Sequence, residues 1–305
     1  MDEFTVSSVW KELCRQSEHE KLLGHADSLP AISKGHLFVY DTIDSTNTEC
    51  KRRIENAGLL RDENGLLTKD GINLHKTVVA AAYQSAGRGR LGRPFYSPSQ
   101  TGIYFSVVYV PEHSVTDPAL FTVTAAVGVC RAICKLYKKN PQIKWVNDVY
   151  LNGKKVCGIL TEGVARAAID GQKDGASKVE AAIIGIGINI AVNKEMPADL
   201  SAKAGGILQA AEEASAEQTA VTRAQLLASV IEETLHSLDA GENVIPEYRS
   251  RSFLLGKKLL ITPLIGDNTT SYEATAIDVT QTAGLLIRLA DGSQKELHSG
   301  EVTLH

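Results

Sequence analysis

The stretch "IKWVNDVYLNGKKVCGILTEG", residues 143–163, decides how the chain folds. Asn152–Gly153 separates two runs with alternating apolar residues. An Asn–Gly pair supplies the two positive-φ residues that the tightest hairpin turns require. The spacing predicts a β-hairpin with Leu151 opposite Lys154, Tyr150 opposite Lys155 and Asp148 opposite Cys157. Side chains alternate faces along a strand. Lys144, Asp148, Tyr150 and Lys155 are therefore expected on one face, with Lys155 diagonal to Asp148. Trp145 and Asn147 are expected on the other face unless a bulge intervenes. Two lysines and a carboxylate in one patch could grip phosphate and a metal ion. The same patch could equally be a surface ion pair contributing under about 1 kcal/mol.

Outward from the hairpin, "EAAIIGIGINIAV" (180–192) is apolar enough for a central strand. Gly185 and Gly187 interrupt it, which marks close approach of a ligand or another backbone. Asn189 is a polar residue in that apolar run, either a satisfied core amide or a binding group. Further strands are expected at "HLFVYDTIDSTN" (36–47), "KTVVAAAYQS" (76–85) and "GIYFSVVYV" (102–110). Helices are expected over 6–23, from Ser45 and Thr46 to Gly58, from Asp117 with Pro118 at its first position, and over 221–241 and 245–256. Residues 59–76 and 164–179 read as polar surface loops. From Gly256 short strands recur at close spacing ("KKLLITPL", "YEATAIDVT", "GLLIRLA", "KELHSGEVTL"), the pattern of a small all-β unit.

Between two of these strands lies "AGRGRLGRP" (86–94). It matches G-x-G-x-x-G, but a dinucleotide fold needs a helix directly after the glycines. Pro94 and Pro98 stand there instead, and the next element is a strand. No H-R-D, D-F-G or G-K-[ST] accompanies it, which removes the kinase and P-loop readings. A strand–loop–strand connection with Arg88, Arg90 and Arg93 predicts a cationic lid over an anionic ligand, since arginine offers forked donors. Its alternative is a solvated surface loop. Ordering about eight residues costs on the order of 8–16 kcal/mol, and each charged hydrogen bond returns about 1.5–3 kcal/mol. The loop is therefore expected to be mobile in the free protein and to close only on a ligand that meets several of its groups at once.

The chain has 305 residues, 43% hydrophobic and 22% charged, with a formal net charge of −4. That balance argues against bulk nucleic-acid binding. Five cysteines without a C-x-x-C make a zinc site improbable, and Cys130 and Cys134 are expected as small core residues. No signal-peptide pattern is seen and no apolar run is expected to reach about 18 residues, so the expected compartment is the cytoplasm, with no membrane partner.

Four motifs in order, "DSTN" (44–47), "YQSAGRGRLGRPFYSP" (83–98), "KWVNDVYLNGKKVCGIL" (144–160) and "GIGINI" (185–190), together resemble the biotin protein ligases over residues 36–305. The resemblance implies an α+β fold. A mixed, largely antiparallel sheet packed with helices (class II synthetase-like) would be followed by a small SH3-like β-barrel. It implies a helical extension over 1–35, a catalytic domain over 36–253 and a C-terminal domain over 254–305. About 36 leading residues are too few for a winged helix, so the resemblance is to the group without an N-terminal DNA-binding module. Biotin and ATP would be substrates, with Mg²⁺. The enzyme would form biotinyl-5′-AMP and acylate one lysine of a biotin carboxyl-carrier domain, acting as a monomer or a side-by-side homodimer.

By the same resemblance, Ser45, Thr46, Gln84 and the Gly87–Arg88 backbone would meet biotin's ureido ring. Gly158, Gly185 and Gly187 would form the floor under its tail. Lys155 would sit at the reacting carboxylate and α-phosphate. Arg90 and Arg93 would face the anions. Lys144, Asn147 and Asp148 would support phosphate, with Asp148 toward Mg²⁺, and Asn189 would lie near adenine or ribose. Val146 replaces the family's usual proline and is expected only to loosen the strand entry. Phe95 stands where tryptophan is common, keeping a stacking face for the nucleotide but no indole N–H. The rivals are a lipoate ligase of the same fold and a non-catalytic biotin-binding regulator. "GRGR" and "KW-ND" speak against the first, and retention of Lys155, Asp148 and the arginines against the second.

Overall fold

A computed structural model describes residues 3–22, 29–113, 118–165, 179–192, 195–208, 221–263 and 270–304. Seven strands build the main sheet: β1 (Leu37–Ile43), β2 (Thr77–Gln84), β3 (Gly102–Tyr109), β4 (Gln142–Lys144), β5 (Asp148–Leu151), β6 (Lys154–Ala165) and β7 (Val179–Asn189). Their order is β1-β2-β3-β7-β6-β5-β4. Only β1 and β2 run parallel; the other neighbours are antiparallel. β7 lies at the centre. Ala182, Ile184 and Ile186 face one core and Ala181 and Ile183 the other, which is why the segment is apolar without alternation.

Three helices cover one face. α4 (Ala119–Tyr137) packs on the sheet and on α6 (Arg223–Asp239), and α1 (Val6–Leu22) packs on α6. α6 starts at a capping box: the Thr222 hydroxyl accepts from Gln225 N–H, and the Gln225 side chain accepts from Thr222 N–H. α2 (Thr46–Glu55) lies across the opposite face, against β2, β3 and β7. α7 (Ile245–Arg251) leads to a second, five-stranded antiparallel sheet. Its strands β8 (Lys258–Thr262), β9 (Tyr272–Val279), β10 (Leu285–Arg288), β11 (Gln294–Leu297) and β12 (Glu301–Leu304) run in the order β11-β10-β9-β8-β12. This sheet shares the main core through Leu259, Ile261, Ala276 and Leu285. Trp145 Nε1 donates to Ala283 O at 2.9 Å, tying the connection after β4 to it.

Several expectations change. Residues 59–76 are not all loop: α3 (Lys69–Leu74) forms there, with the Thr68 hydroxyl accepting from Gly71 N–H. One short, polar, well-capped turn carries no apolar period to reveal it. "KELHSGEVTL" is two strands, parted at Gly300 (φ 151°). α4 begins at Ala119, and Asp117 lies outside the described residues. Of the loop expected at 164–179, positions 164, 165 and 179 are strand and 166–178 lie outside the described residues. α4 does reach 19 residues with a mean hydropathy of 1.6, so the expectation that no segment is that apolar fails; 67% of that stretch is buried inside the fold. Cys130 is in the core, whereas Cys134 is only half-buried.

Candidate active site

The hairpin turn forms as its Asn–Gly pair demands, with φ of 50° at Asn152 and 73° at Gly153. Leu151 pairs with Lys154 and Tyr150 with Lys155. Beyond them the register slips: Val149 pairs with Cys157 and Asp148 with Gly158, so Val156 is the extra residue of a β-bulge. The expected Asp148–Cys157 pairing is thereby corrected. The slip turns Gly158 and Leu160 toward the face that carries Lys155, and sends Cys157 and Ile159 into the core.

The second correction concerns Asn147. The run 143–151 is not one strand, because β4 and β5 form their own hairpin with Lys144 opposite Asp148. Asn147 lies in the connection between them, on the functional side. Its Nδ2 donates to Ile159 O at 2.9 Å, and its Oδ1 accepts from Arg90 Nη1 at 2.9 Å.

These residues head a cavity of about 820 Å³, a size suited to a small organic ligand. Lys155 Nζ is 2.6 Å from Asp148 Oδ1. The contact is an ion pair outside hydrogen-bonding alignment, so the buried Asp148 Oδ1 is neutralised by the ammonium without accepting a hydrogen bond from it. Burial pushes the Lys144 ammonium below its usual range, against the opposing pull of Asp148 and with a further push from Lys155. The glycine–arginine loop lines one wall. Gly89 N–H donates to Arg93 O at 2.8 Å, Phe95 N–H donates to Gly87 O at 2.8 Å, and residues Arg90–Gly92 make a 3-10 turn. Its arginines already have protein partners: Arg88 on Glu162, Arg90 on Asn147, and Arg93 on Glu301 at 2.5 Å.

At the other end a buried polar cluster forms around the start of α2. Ser45 is the N-cap by position but does not use its hydroxyl to cap the helix. Thr46 N–H and Oγ1 both donate to Gln84 Oε1, at 2.8 and 3.1 Å. Gln84 Nε2 donates to Ser97 Oγ at 2.9 Å. Ser106 Oγ lies 2.7 Å from Thr46 Oγ1 and 2.6 Å from Asn47 Oδ1.

Ser45, Thr46, Gln84, Arg88, Arg90, Arg93, Phe95, Lys144, Asn147, Asp148, Lys155, Gly158, Gly185, Gly187 and Asn189 all line this one cavity. Gly87 does not. A side chain there would strike Phe95 O and Ser97 Oγ, so its glycine serves the turn of the loop. The glycine floor also differs from expectation. Gly158 and Gly187 are register partners. The Phe95 ring stands on both, and a Cβ at Gly158 would lie 3.1 Å from Phe95 Cε2 and from Lys155 Cε. A Cβ at Gly185 would collide with the Asn47 amide. These glycines thus admit side chains of the protein itself. Sequence reading missed two walls. One is α5 (Ala198–Ser201) with the flanking Met196 and Lys203, which pairs with the hairpin through Lys155 N–H to Lys203 O at 3.0 Å. The other is Gly300–Thr303 of the C-terminal sheet. Neither carries a motif; folding alone brings them in.

The family model for biotin/lipoate A/B protein ligases matches residues 43–189, a span holding every expected site residue. Among similar proteins, the bifunctional ligase/repressor BirA of Bacillus subtilis is 36% identical over 138 residues, 45% of this chain and 40% of that protein. The chain therefore spans about two fifths of that relative's length. The biotin–[acetyl-CoA-carboxylase] ligase of Mycobacterium tuberculosis is 26% identical over 195 residues, 63% of this chain and 66% of that protein. Biotin protein ligase from Aquifex aeolicus, solved in complex with biotin and ATP, superposes with a TM-score of 0.64 at 23% identity, covering 88% of this chain and 98% of that one. That likeness establishes a shared fold.

Proposed function

We propose that the chain is an ATP-dependent ligase that activates biotin as biotinyl-5′-AMP and transfers it to a lysine of a biotin carboxyl-carrier domain. One observation carries this reading: a single cavity joins a neutral, hydrogen-bonded polar end (Thr46, Asn47, Gln84) to a cationic end (Lys144, Lys155, Arg90). A biotin-like substrate has the matching asymmetry, an uncharged ureido ring at one end and a carboxylate at the other.

In the first half-reaction a carboxylate oxygen of biotin bonds to the α-phosphorus of ATP while the bond to the bridging oxygen breaks and pyrophosphate leaves. Two anions must meet, so the ammonium of Lys155, held over Gly158 by Asp148, offsets charge that grows on the transferring phosphoryl group. Arg90, fixed by Asn147, supplies a second donor. Asp148 offers the acceptor for a phosphate-bound Mg²⁺, which uses one or two carboxylates and would neutralise phosphate charge when bound. In the second half-reaction the carrier lysine's amine bonds to the acyl carbon and AMP leaves. The loop 86–94 and residues 300–303 shield the acyl-adenylate from water. Relatives named as biotin ligases support the choice of biotin over lipoate. Mass spectrometry of a biotin-carrier domain after incubation with biotin, ATP and Mg²⁺ tests it. A biotin-sized mass increase is expected; labelling by lipoate alone, or none, overturns the reading.

A further inference from the structure

Glu162 lies outside the cavity lining, on the same face of β6 as Gly158 and Leu160, yet it touches two functional elements, the start of α2 and the glycine–arginine loop. Its carboxylate receives four donors. Asn47 Nδ2 donates to Oε2 at 2.8 Å and Lys51 Nζ to Oε1 at 2.7 Å, both from α2. Arg88 donates through Nη2 to Oε1 at 3.0 Å and through Nη1 to Oε2 at 3.2 Å. The arginine contact is the bidentate fork that fixes orientation as well as distance. Asn47 in turn rests in the space left by Gly185 and meets Ser106, which meets Thr46.

We infer that Glu162 is a positioning residue for ligation: it latches the glycine–arginine loop, through Arg88, to the first turns of α2, through Asn47 and Lys51, and so closes the end of the cavity that holds the ureido ring. The inference rests on the biotin reading above for its ligand, though not for the latch. It gives Arg88 a task that needs an arginine side chain. The carboxylate has about four lone-pair directions, and these four donors fill them. A glutamine in its place keeps the shape but has one acceptor oxygen, and its NH₂ would face Arg88 or Lys51. Burial raises the Glu162 carboxyl, but Asn47, Lys51 and Arg88 together hold it below its ordinary range, so the latch stays ionised at neutral pH.

The test is Glu162→Gln, Arg88→Gln and the double variant in the full chain. Arg88 is exposed at the surface, so its variant is expected to fold even if Glu162→Gln does not. In each, amide exchange over residues 86–94 without ligand is expected to speed up about tenfold, as for loss of one charge-assisted hydrogen bond. The KM for biotin in pyrophosphate exchange is expected to rise about tenfold with kcat changed less than about twofold, because loop positioning acts on uniform binding. The double variant is expected to match the worse single one, since both remove one contact. Unchanged loop exchange, a loss confined to kcat, or effects that multiply in the double variant overturn the latch. A wild-type chain that binds no biotin overturns the ligase reading instead, while the ligand-free exchange still decides the latch.

Discussion

Replacing Lys155 by glutamine keeps the reach of the side chain and removes the charge that lies 2.6 Å from Asp148. If Lys155 acts as electrostatic donors in other enzymes do, biotin-dependent pyrophosphate exchange falls by about 10²–10³-fold, roughly 2.7–4 kcal/mol. Full exchange activity in the folded Lys155→Gln variant contradicts the assignment. A second prediction concerns the floor. Gly187→Ala sets a methyl against the Phe95 ring. The ring cannot move down, so it must lift into the cavity, and calorimetry is expected to show weaker biotin binding in a protein that still folds. At this scale the motifs named most of the lining residues. They could not tell that Gly87 and Gly185 serve Phe95, Ser97 and Asn47, because no spacing rule reports which atom fills the space a glycine leaves.

At the scale of elements, one bulge residue at Val156 decides which side chains of β6 face the site. An ideal hairpin register would point Cys157 and Ile159 at the ligand; the slip puts Gly158 and Leu160 there, with Glu162 further along the same face outside the cavity. The Asn–Gly turn was legible because it depends on two local φ values, but the bulge arises where β5 must pair with β6 while β6 pairs with β7. The loop 86–94 shows a similar divide. Its arginines were expected to wait for an anion, yet Glu162, Asn147 and Glu301 already receive them. Ligand binding is therefore expected to exchange partners. Hydrogen exchange over 86–94 should slow with biotin and slow further with biotin plus ATP. Full protection by ATP alone would make the loop a simple nucleotide clamp. α6 offers a purely structural test. Thr222→Ala removes the capping box and should cost about 1 kcal/mol of stability, read by urea unfolding, with the m-value unchanged.

Across the whole molecule, the segment before β1 is docked by Glu232 of α6, whose carboxylate accepts from Ala31 N–H at 3.0 Å. Burial raises this carboxyl to about 7, against the opposing pull of that N–H. A raised carboxyl pKa favours the folded state while the group is protonated. That contribution is complete below the unfolded value and disappears as pH rises through about 7. Glu232→Gln removes the dependence. Thermal melts should therefore show the variant gaining on the wild type by about 1–2 kcal/mol between about pH 5 and about pH 8. A difference that ignores pH defeats this account. The C-terminal sheet cannot be treated as a detachable module either. Leu254, Leu259 and Leu285 belong to the main core, and Trp145 and Arg249 bond to Ala283 O and Val279 O. Truncation after Phe253 would open that core, so point changes such as Glu301→Gln are the sound probes of the rim.

What the sequence determined by itself is whatever short-range chemistry controls: the Asn152–Gly153 turn, the apolar central strand, the order of the four motifs, and the demand of clustered arginines and lysines for anions. What tertiary structure decided is everything that depends on residues far apart in the chain. Asn147 turned toward Arg90 because β4 and β5 fold on each other, and Glu301 reached Arg93 because two sheets share one core. Glu162 became a hub because a bulge, a helix start and a loop converge on it. Such contacts are set by packing, which sums many weak long-range interactions, and no local pattern of residues encodes them.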